Sequence, residues 1–203
     1  RFLTGVVPFR PENVRITVNA ISERQAAVLK NLLTRTLMEQ ILAADDPESA
    51  EDRKRLAYIN APLIAEEYGI DVLLELEKTE RFKNSMSIVF KNEAHTFDIS
   101  GILVHGNDGV EPRIASIDGC RIESQFGHLL LFYRNRNVPG VIGKVGTKLG
   151  KFGLNIDSMA NTSKSENEAV NILRISCTGD TERSIDKIEQ ELRKIKSITY
   201  LKI

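Results

Sequence analysis

No excess of charge of one sign marks this 203-residue chain: Lys+Arg 28 balance Asp+Glu 28, so its formal net charge is zero. Without a net field there is no long-range pull onto nucleic acid or an anionic membrane, although a local basic pocket is compatible with that balance. Cysteine is scarce. Cys120 and Cys177 are the two present, far apart, without metal-ligand spacing and each within a strand-like apolar run, so they read as reduced, buried thiols of a cytosolic protein. Uncharged runs do not exceed about ten residues, against the ~20 apolar residues that span a bilayer. No signal-peptide pattern opens the chain. Because it begins at Arg1, the expectation is a piece of a longer cytoplasmic protein, with a plastid left open.

The chemistry of catalysis is also missing. No G-x-G-x-x-G follows a strand, so the nicotinamide-binding half of a dehydrogenase is not expected here. Gly101-Ile102-Leu103-Val104-His105-Gly106 does not fit that pattern, and Gly140-Val141-Ile142-Gly143-Lys144 lacks the spacing and the final Ser/Thr of a phosphate-binding loop. His95, His105 and His128 have neither metal spacing nor a paired carboxylate that would mark an acid–base dyad. They read as ordinary strand or turn residues, and no catalytic residue or metal ligand is assigned.

At 41% hydrophobic residues, the chain can bury a core in each of two compact domains. Residues 1–12, with Gly5, Pro8 and Pro11, read as a linker or the remnant of an upstream domain. Val14, Ile16 and Val18 alternate with Arg15, Thr17 and Asn19 as in a half-buried strand. Ser22-Glu23-Arg24-Gln25 is a capping box opening a helix to about Ala44, with Ala26, Leu29, Leu33, Leu37 and Ile41 at helical spacing. A shorter helix starts at Asn60-Ala61-Pro62, presents Ala61, Ile64, Ala65 and Tyr68, and stops at Gly69. Strands are expected at 71–76, 85–91, 96–104, 112–117 and 121–123, with Asp118-Gly119 as a tight turn. Helices followed by a strand meander indicate an α+β domain over 13–126, its helices on one face of a mainly antiparallel sheet.

From 127 to 203 the order is strand 128–134, helix 138–152, strand 154–162, strand 168–177, helix 181–194 and strand 197–202. This is β-α-β-β-α-β, the ferredoxin-like unit. Val138, Val141, Ile142, Val145, Leu149 and Phe152 form one helix stripe, ended by Gly153. Gly143, Gly146 and Gly150 inside that helix cost about 1 kcal/mol each relative to Ala, which calls for a close approach by sheet, ligand or partner chain. Helices on one face leave the other face of the sheet bare, which predicts a partner.

The segment Asn135-Arg136-Asn137-Val138-Pro139-Gly140 closes a strand, turns sharply and opens a helix. Backbone N–H groups and carboxamides converge there, and with Asn155 on the next strand they are expected at one end of the unit. Amides do not titrate near neutral pH, so such a corner suits binding a small zwitterion or carboxylate rather than a reaction. Turn-making and helix capping account for the same asparagines, and both readings stand at this point.

The run from Asn135 to Gly146, with Leu154-Asn155-Ile156, resembles the ACT domain at the C-terminus of D-3-phosphoglycerate dehydrogenase. Tyr58-Ile59-Asn60-Ala61-Pro62-Leu63-Ile64-Ala65 and Glu111-Pro112-Arg113-Ile114-Ala115-Ser116-Ile117-Asp118-Gly119 resemble that enzyme's intervening, allosteric substrate-binding domain. The likeness covers roughly residues 57–178. It implies a regulatory part of an NAD-dependent oxidoreductase of serine biosynthesis, the cofactor being held outside this chain. It further implies a homo-oligomer formed through ACT domains that holds L-serine or a related small effector at Asn135, Asn137, Gly140, Gly143 and Asn155. Some members carry His or Tyr where Asn135 stands. The resemblance also implies an anion at Arg113 in the middle domain, with Arg121, Lys91 and Arg134 as candidates to complete the pocket.

Two other readings share this architecture: the regulatory chain of L-serine dehydratase and a stand-alone amino-acid-sensing module. An RNA-binding module with the same strand order would stack bases on aromatics of its third strand. Ala169-Val170-Asn171-Ile172-Leu173-Arg174-Ile175-Ser176-Cys177 has none, so no nucleic acid is expected.

Overall fold

The computed structural model describes residues 7–19, 22–44, 50–77, 84–106, 109–127, 129–177 and 185–203. The chain is α+β with two sheets, one of six strands and one of four. It divides into two compact units, Arg1–Leu103 and Val104–Ile203.

In the first unit, strand β1 (Asn13–Asn19) leads into helix α1 (Glu23–Ala44). The capping box forms as expected. Ser22 N donates to Gln25 Oε1 at 3.0 Å and Gln25 N to Ser22 Oγ at 3.3 Å, so the two residues satisfy each other's free amides. Two short helices follow, α2 (Ala50–Arg55) and α3 (Ala61–Glu67). Asn60 does not cap α3 with its side chain. It clamps the preceding turn instead, accepting from Ala57 N and donating to Arg55 O, each at 2.7 Å. Gly69 ends this stretch in the left-handed region at φ 70, where a residue with a Cβ would be strained.

Strand β2 (Asp71–Glu77) then pairs in parallel with β1, because the intervening helices carry the chain back to the sheet's starting end. Strand β3 (Ser85–Lys91) is antiparallel to β1, and β4 (Thr96–Gly106) to β3. The core on this side is made by Val14, Ile16, Val72, Ile88, Phe90, Phe97 and Ile99 with Leu37, Met38 and Leu42 from α1.

The second unit opens with the hairpin of β5 (Gly109–Ile117) and β6 (Cys120–Gln125). Asp118 and Gly119 both have positive φ, 53 and 72, which is the geometry an Asp-Gly two-residue hairpin requires. There follow β7 (Leu129–Arg136), α4 (Val141–Lys151), β8 (Leu154–Ser163), β9 (Glu168–Cys177), α5 (Ile185–Arg193) and β10 (Ile198–Lys202). The strand order is β10-β7-β9-β8, each neighbouring pair antiparallel. This arrangement is consistent with a small ferredoxin-like fold.

Leu131, Tyr133, Leu173 and Ile175 turn one face of this sheet to Val141, Val145 and Leu149 of α4 and Ile188 and Leu192 of α5. The opposite face was expected to be bare, and here the structure corrects the sequence reading. Leu130, Phe132, Val170 and Ile172 on that face are buried too, as are Ile114, Ile117 and Ile122 of the hairpin, and β6 packs on β8 and β9. The uninterrupted apolar run Leu129–Tyr133 carries the reason, since a strand with one wet face would alternate. Asp118 of the hairpin turn meets Lys164 at 2.7 Å and Arg134 at 3.2 Å, and Arg174 donates to Gln125 at 2.6 Å. Cys120 is buried on β6 and outside any disulfide; the side chain of Cys177 and all of His128 lie outside the described residues.

Candidate functional site

At the end of β7 the chain passes through Asn137 and Pro139 to Gly140, whose φ of 83 sets the N-terminus of α4. Only a residue without Cβ takes that conformation cheaply, so the glycine fixes the angle at which the helix leaves the strand. Asn137 is exposed and bound to the β8–β9 hairpin: its backbone N donates to Asn167 O at 2.9 Å, and its Nδ2 to Ser163 Oγ at 3.3 Å.

Asn135 is placed differently. It is 4% exposed, on the face of β7 that carries Leu131 and Tyr133. Its Oδ1 accepts from Asn171 Nδ2 at 2.7 Å and its Nδ2 donates to Arg136 O at 2.6 Å. Asn161 Nδ2 extends the chain, donating to Asn171 Oδ1 at 2.6 Å. Three carboxamides thus cross β7, β9 and β8 in series. Asn161 and Asn171 were not singled out from the sequence. The available signal was Asn171 itself, an amide in a run that is otherwise apolar from Ala169 to Leu173.

Asn155 is not beside these groups, contrary to the expectation that all the amides share one end. In the register, Arg136 lies opposite Glu168 and Ser163 opposite Ala169, whereas Asn155 lies opposite Ser176. Strands β7 and β8 therefore run the same way, and the start of β8 is at the far end of the sheet from Asn137. Eight residues of strand separate Asn155 from Ser163, about 25 Å at ~3.3 Å per residue. Locally, Asn155 Nδ2 donates to Asp157 Oδ1 at 3.0 Å, which also accepts from Ser176 Oγ at 2.6 Å. The sequence places the strand correctly, but a β-α-β crossover returns the chain to the first strand's starting edge, which separates the ends.

Gly140 and Gly143 line an open groove of about 820 Å³ along α4. A Cβ at Gly143 or Gly150 would meet nothing within 4 Å, and at Gly146 only Ile156 at 3.8 Å. Among the described residues, nothing outside the helix's own backbone approaches these glycines closely enough to require them.

Arg113, on β5, is engaged by carboxylates: Glu123 at 2.5 Å across the hairpin and Glu111 at 3.5 Å along its own strand. The bond to Glu123 holds the guanidinium even more firmly protonated than usual. Arg134, considered as a pocket partner, is on Asp118 and stacks over the Tyr200 ring at 5.2 Å. Among the described residues no group of three or more His, Cys, Asp or Glu could hold a metal ion, and no helix is long and apolar enough to cross a membrane.

A two-layer α+β unit, with a ferredoxin-like sheet and an amide-rich strand-to-helix corner, is the class that fold and site define. By sequence the chain is homologous to D-3-phosphoglycerate dehydrogenases over part of their length. It is 26% identical over 184 residues to that enzyme of Methanocaldococcus jannaschii, covering 90% of this chain and 32% of the relative. With the Synechocystis enzyme it is 32% identical over 108 residues, covering 53% and 19%, and with the Bacillus subtilis enzyme 27% over 147 residues, covering 71% and 26%. The chain therefore spans a third or less of the curated relatives it matches. No family model matches it. Among solved structures, a homoserine dehydrogenase from Thiobacillus denitrificans aligns at 12% identity and a TM-score of 0.28, covering 73% of this chain and 44% of that one, a likeness too slight to carry an argument.

Proposed function

We propose that this chain is the regulatory portion of a D-3-phosphoglycerate dehydrogenase and that it binds L-serine, or a closely related small amino acid, where two ACT-type units meet. The homology, confined to about a third of the relative from Methanocaldococcus jannaschii, supports a regulatory part whose catalytic and NAD-binding portion lies elsewhere. The observation that carries the binding site is the position of β8. It is the last strand in the order β10-β7-β9-β8, with Asn155 at its start and Ser163, the partner of Asn137, at its end.

Within one unit Asn137 and Asn155 are a strand's length apart. If β8 lies antiparallel to β8 of a second copy, the start of one strand comes beside the end of the other. Asn155 of each copy then faces Asn137 of its twin, giving two equivalent composite sites related by a twofold axis. Carboxamides offer both donors and acceptors, which suits an ammonium and a carboxylate together. An effector that bridges the copies favours the paired arrangement, with a coupling typically of about 1–3 kcal/mol. Arg113 would take its anion in the middle domain only by exchanging Glu123 or Glu111 for it.

The composite site is tested by complementation. Asn137→Ala and Asn155→Ala each abolish L-serine binding in calorimetric titration. A mixture of the two, unfolded and refolded together, regains about a quarter of the wild-type sites, because the heterodimer has one site intact and one doubly impaired. A site within one chain gives no recovery on mixing, and recovery absent at dimer-forming concentrations overturns the proposal.

A further inference from the structure

The groove along α4 lies between that helix and the residues joining α5 to β10. Its cations are Arg136, Lys144, Lys148, Lys151, Lys194 and Lys196. Among the described residues a single carboxylate meets them, Glu191, which accepts from Lys148 Nζ at 2.9 Å and from Lys194 Nζ. Among the described residues Arg136, Lys144, Lys151 and Lys196 have no acidic partner. The Arg136 guanidinium donates to Lys196 O at 3.2 Å, which fixes it at the groove while leaving further N–H groups available.

Helix electrostatics explain some of these charges and not others. Lys148 and Lys151 are in the last turn of α4, where a cation complements the carbonyl end. Lys144 and Arg136 flank the other end, whose first turn has no acidic residue. Cations at a helix N-terminus oppose its dipole, so this end is electrostatically unsatisfied until an anion enters. An independent observation points the same way. Ser197, 7% exposed, lines the groove, and its buried Oγ has no hydrogen-bond partner; a buried hydroxyl left in that state marks a place where a polar group is missing.

We propose that this groove binds a small phosphate-bearing anion, held by Arg136, Lys144 and Lys196 at the N-terminus of α4 and by the Ser197 hydroxyl. The inference goes beyond the effector reading and does not depend on it. A monocarboxylate amino acid would leave most of the groove's charge uncompensated, whereas a phosphate dianion or pyrophosphate matches several cations at once. At about 820 Å³ the open groove has room for a pyrophosphate. The zero net charge of the chain supplies no field for a long polyanion.

Calorimetric titration of the full chain with inorganic pyrophosphate tests this. Saturable binding is expected, weakening with added salt. It falls about tenfold or more in the double variant Lys144→Gln/Lys196→Gln, whose exposed side chains leave folding intact, and several-fold in Ser197→Ala at an unchanged melting temperature. Asn137→Ala keeps the wild-type pyrophosphate affinity, which separates this site from the amino-acid site. The proposal is overturned by no saturation at about 10 mM pyrophosphate, by equal affinity in the folded double variant, or by a single-stranded oligonucleotide binding far more tightly through the same lysines.

Discussion

Asn171 Nδ2 donates to Asn135 Oδ1 at 2.7 Å, at the centre of a chain of amides that crosses β7, β9 and β8. Each bond polarises the next, and in a buried setting the series holds β7, β9 and β8 in a single register. Asn171 is fully buried. Replacing it with Ala leaves the buried Asn135 short of a partner, at about 1–3 kcal/mol, while the exposed Asn161 can turn to water. Asn171→Ala is therefore expected to lose about 1–3 kcal/mol in urea denaturation, read as a lower midpoint with an unchanged slope.

Asp118 is the second polar tie, joining the β5–β6 turn to the face of the four-stranded sheet away from the helices. Its carboxylate meets both Lys164 and Arg134, and its side chain is 8% exposed. Asp118→Asn keeps a residue that tolerates positive φ but strands two cations. A loss of about 3 kcal/mol is expected in equilibrium denaturation. Combining it with Lys164→Met should lose less than the sum of the single changes, as a double-mutant cycle shows for groups in contact.

Glu191 ties Lys194 and Lys148 together. Hydrogen bonds from those two ammonium groups, first Lys194 and then Lys148, lower its carboxyl pKa from 4.5 to about 2. A folded-state value below the unfolded one gives stability that is present above about pH 4.5 and lost as pH falls toward 2. Melting temperature followed from pH 6 to pH 2 should therefore fall less steeply in Glu191→Gln than in the wild type. Removing the groove's carboxylate should also strengthen pyrophosphate binding at neutral pH.

Gly143 and Gly150 both sit in α4 with open space where a Cβ would be. Each change to Ala should stabilise the chain by up to about 1 kcal/mol in thermal melting. Only Gly143 lines the groove, so Gly143→Ala should weaken pyrophosphate binding while Gly150→Ala leaves it unchanged. Equal effects of the two on binding would remove Gly143 from the site.

Much of the fold was readable because local chemistry states it. The Ser22–Gln25 capping box, the Asp118-Gly119 hairpin and the Gly69 stop each correspond to a backbone requirement that few residues meet. The site was less readable. Asn137, Gly140 and Asn155 could be put on their elements, but the amide chain through Asn171 needs a cross-strand register, and the basic groove joins residues some fifty positions apart in sequence, Lys144 and Lys196 among them.

Sequence periodicity by itself determined the order of strands and helices and the α+β class, because a helix or strand must turn its apolar residues to one side wherever it lies. The sheet face away from the helices reads from the helix stripes as bare, and the apolar run Leu129–Tyr133 on β7 is the local sign of its burial. Only the tertiary structure decided that β6 lies there, that Asn155 and Asn137 are at opposite ends of the sheet, and that scattered lysines share one groove. Those facts follow from chain direction and pairing between distant segments, which side-chain patterning within a segment does not specify.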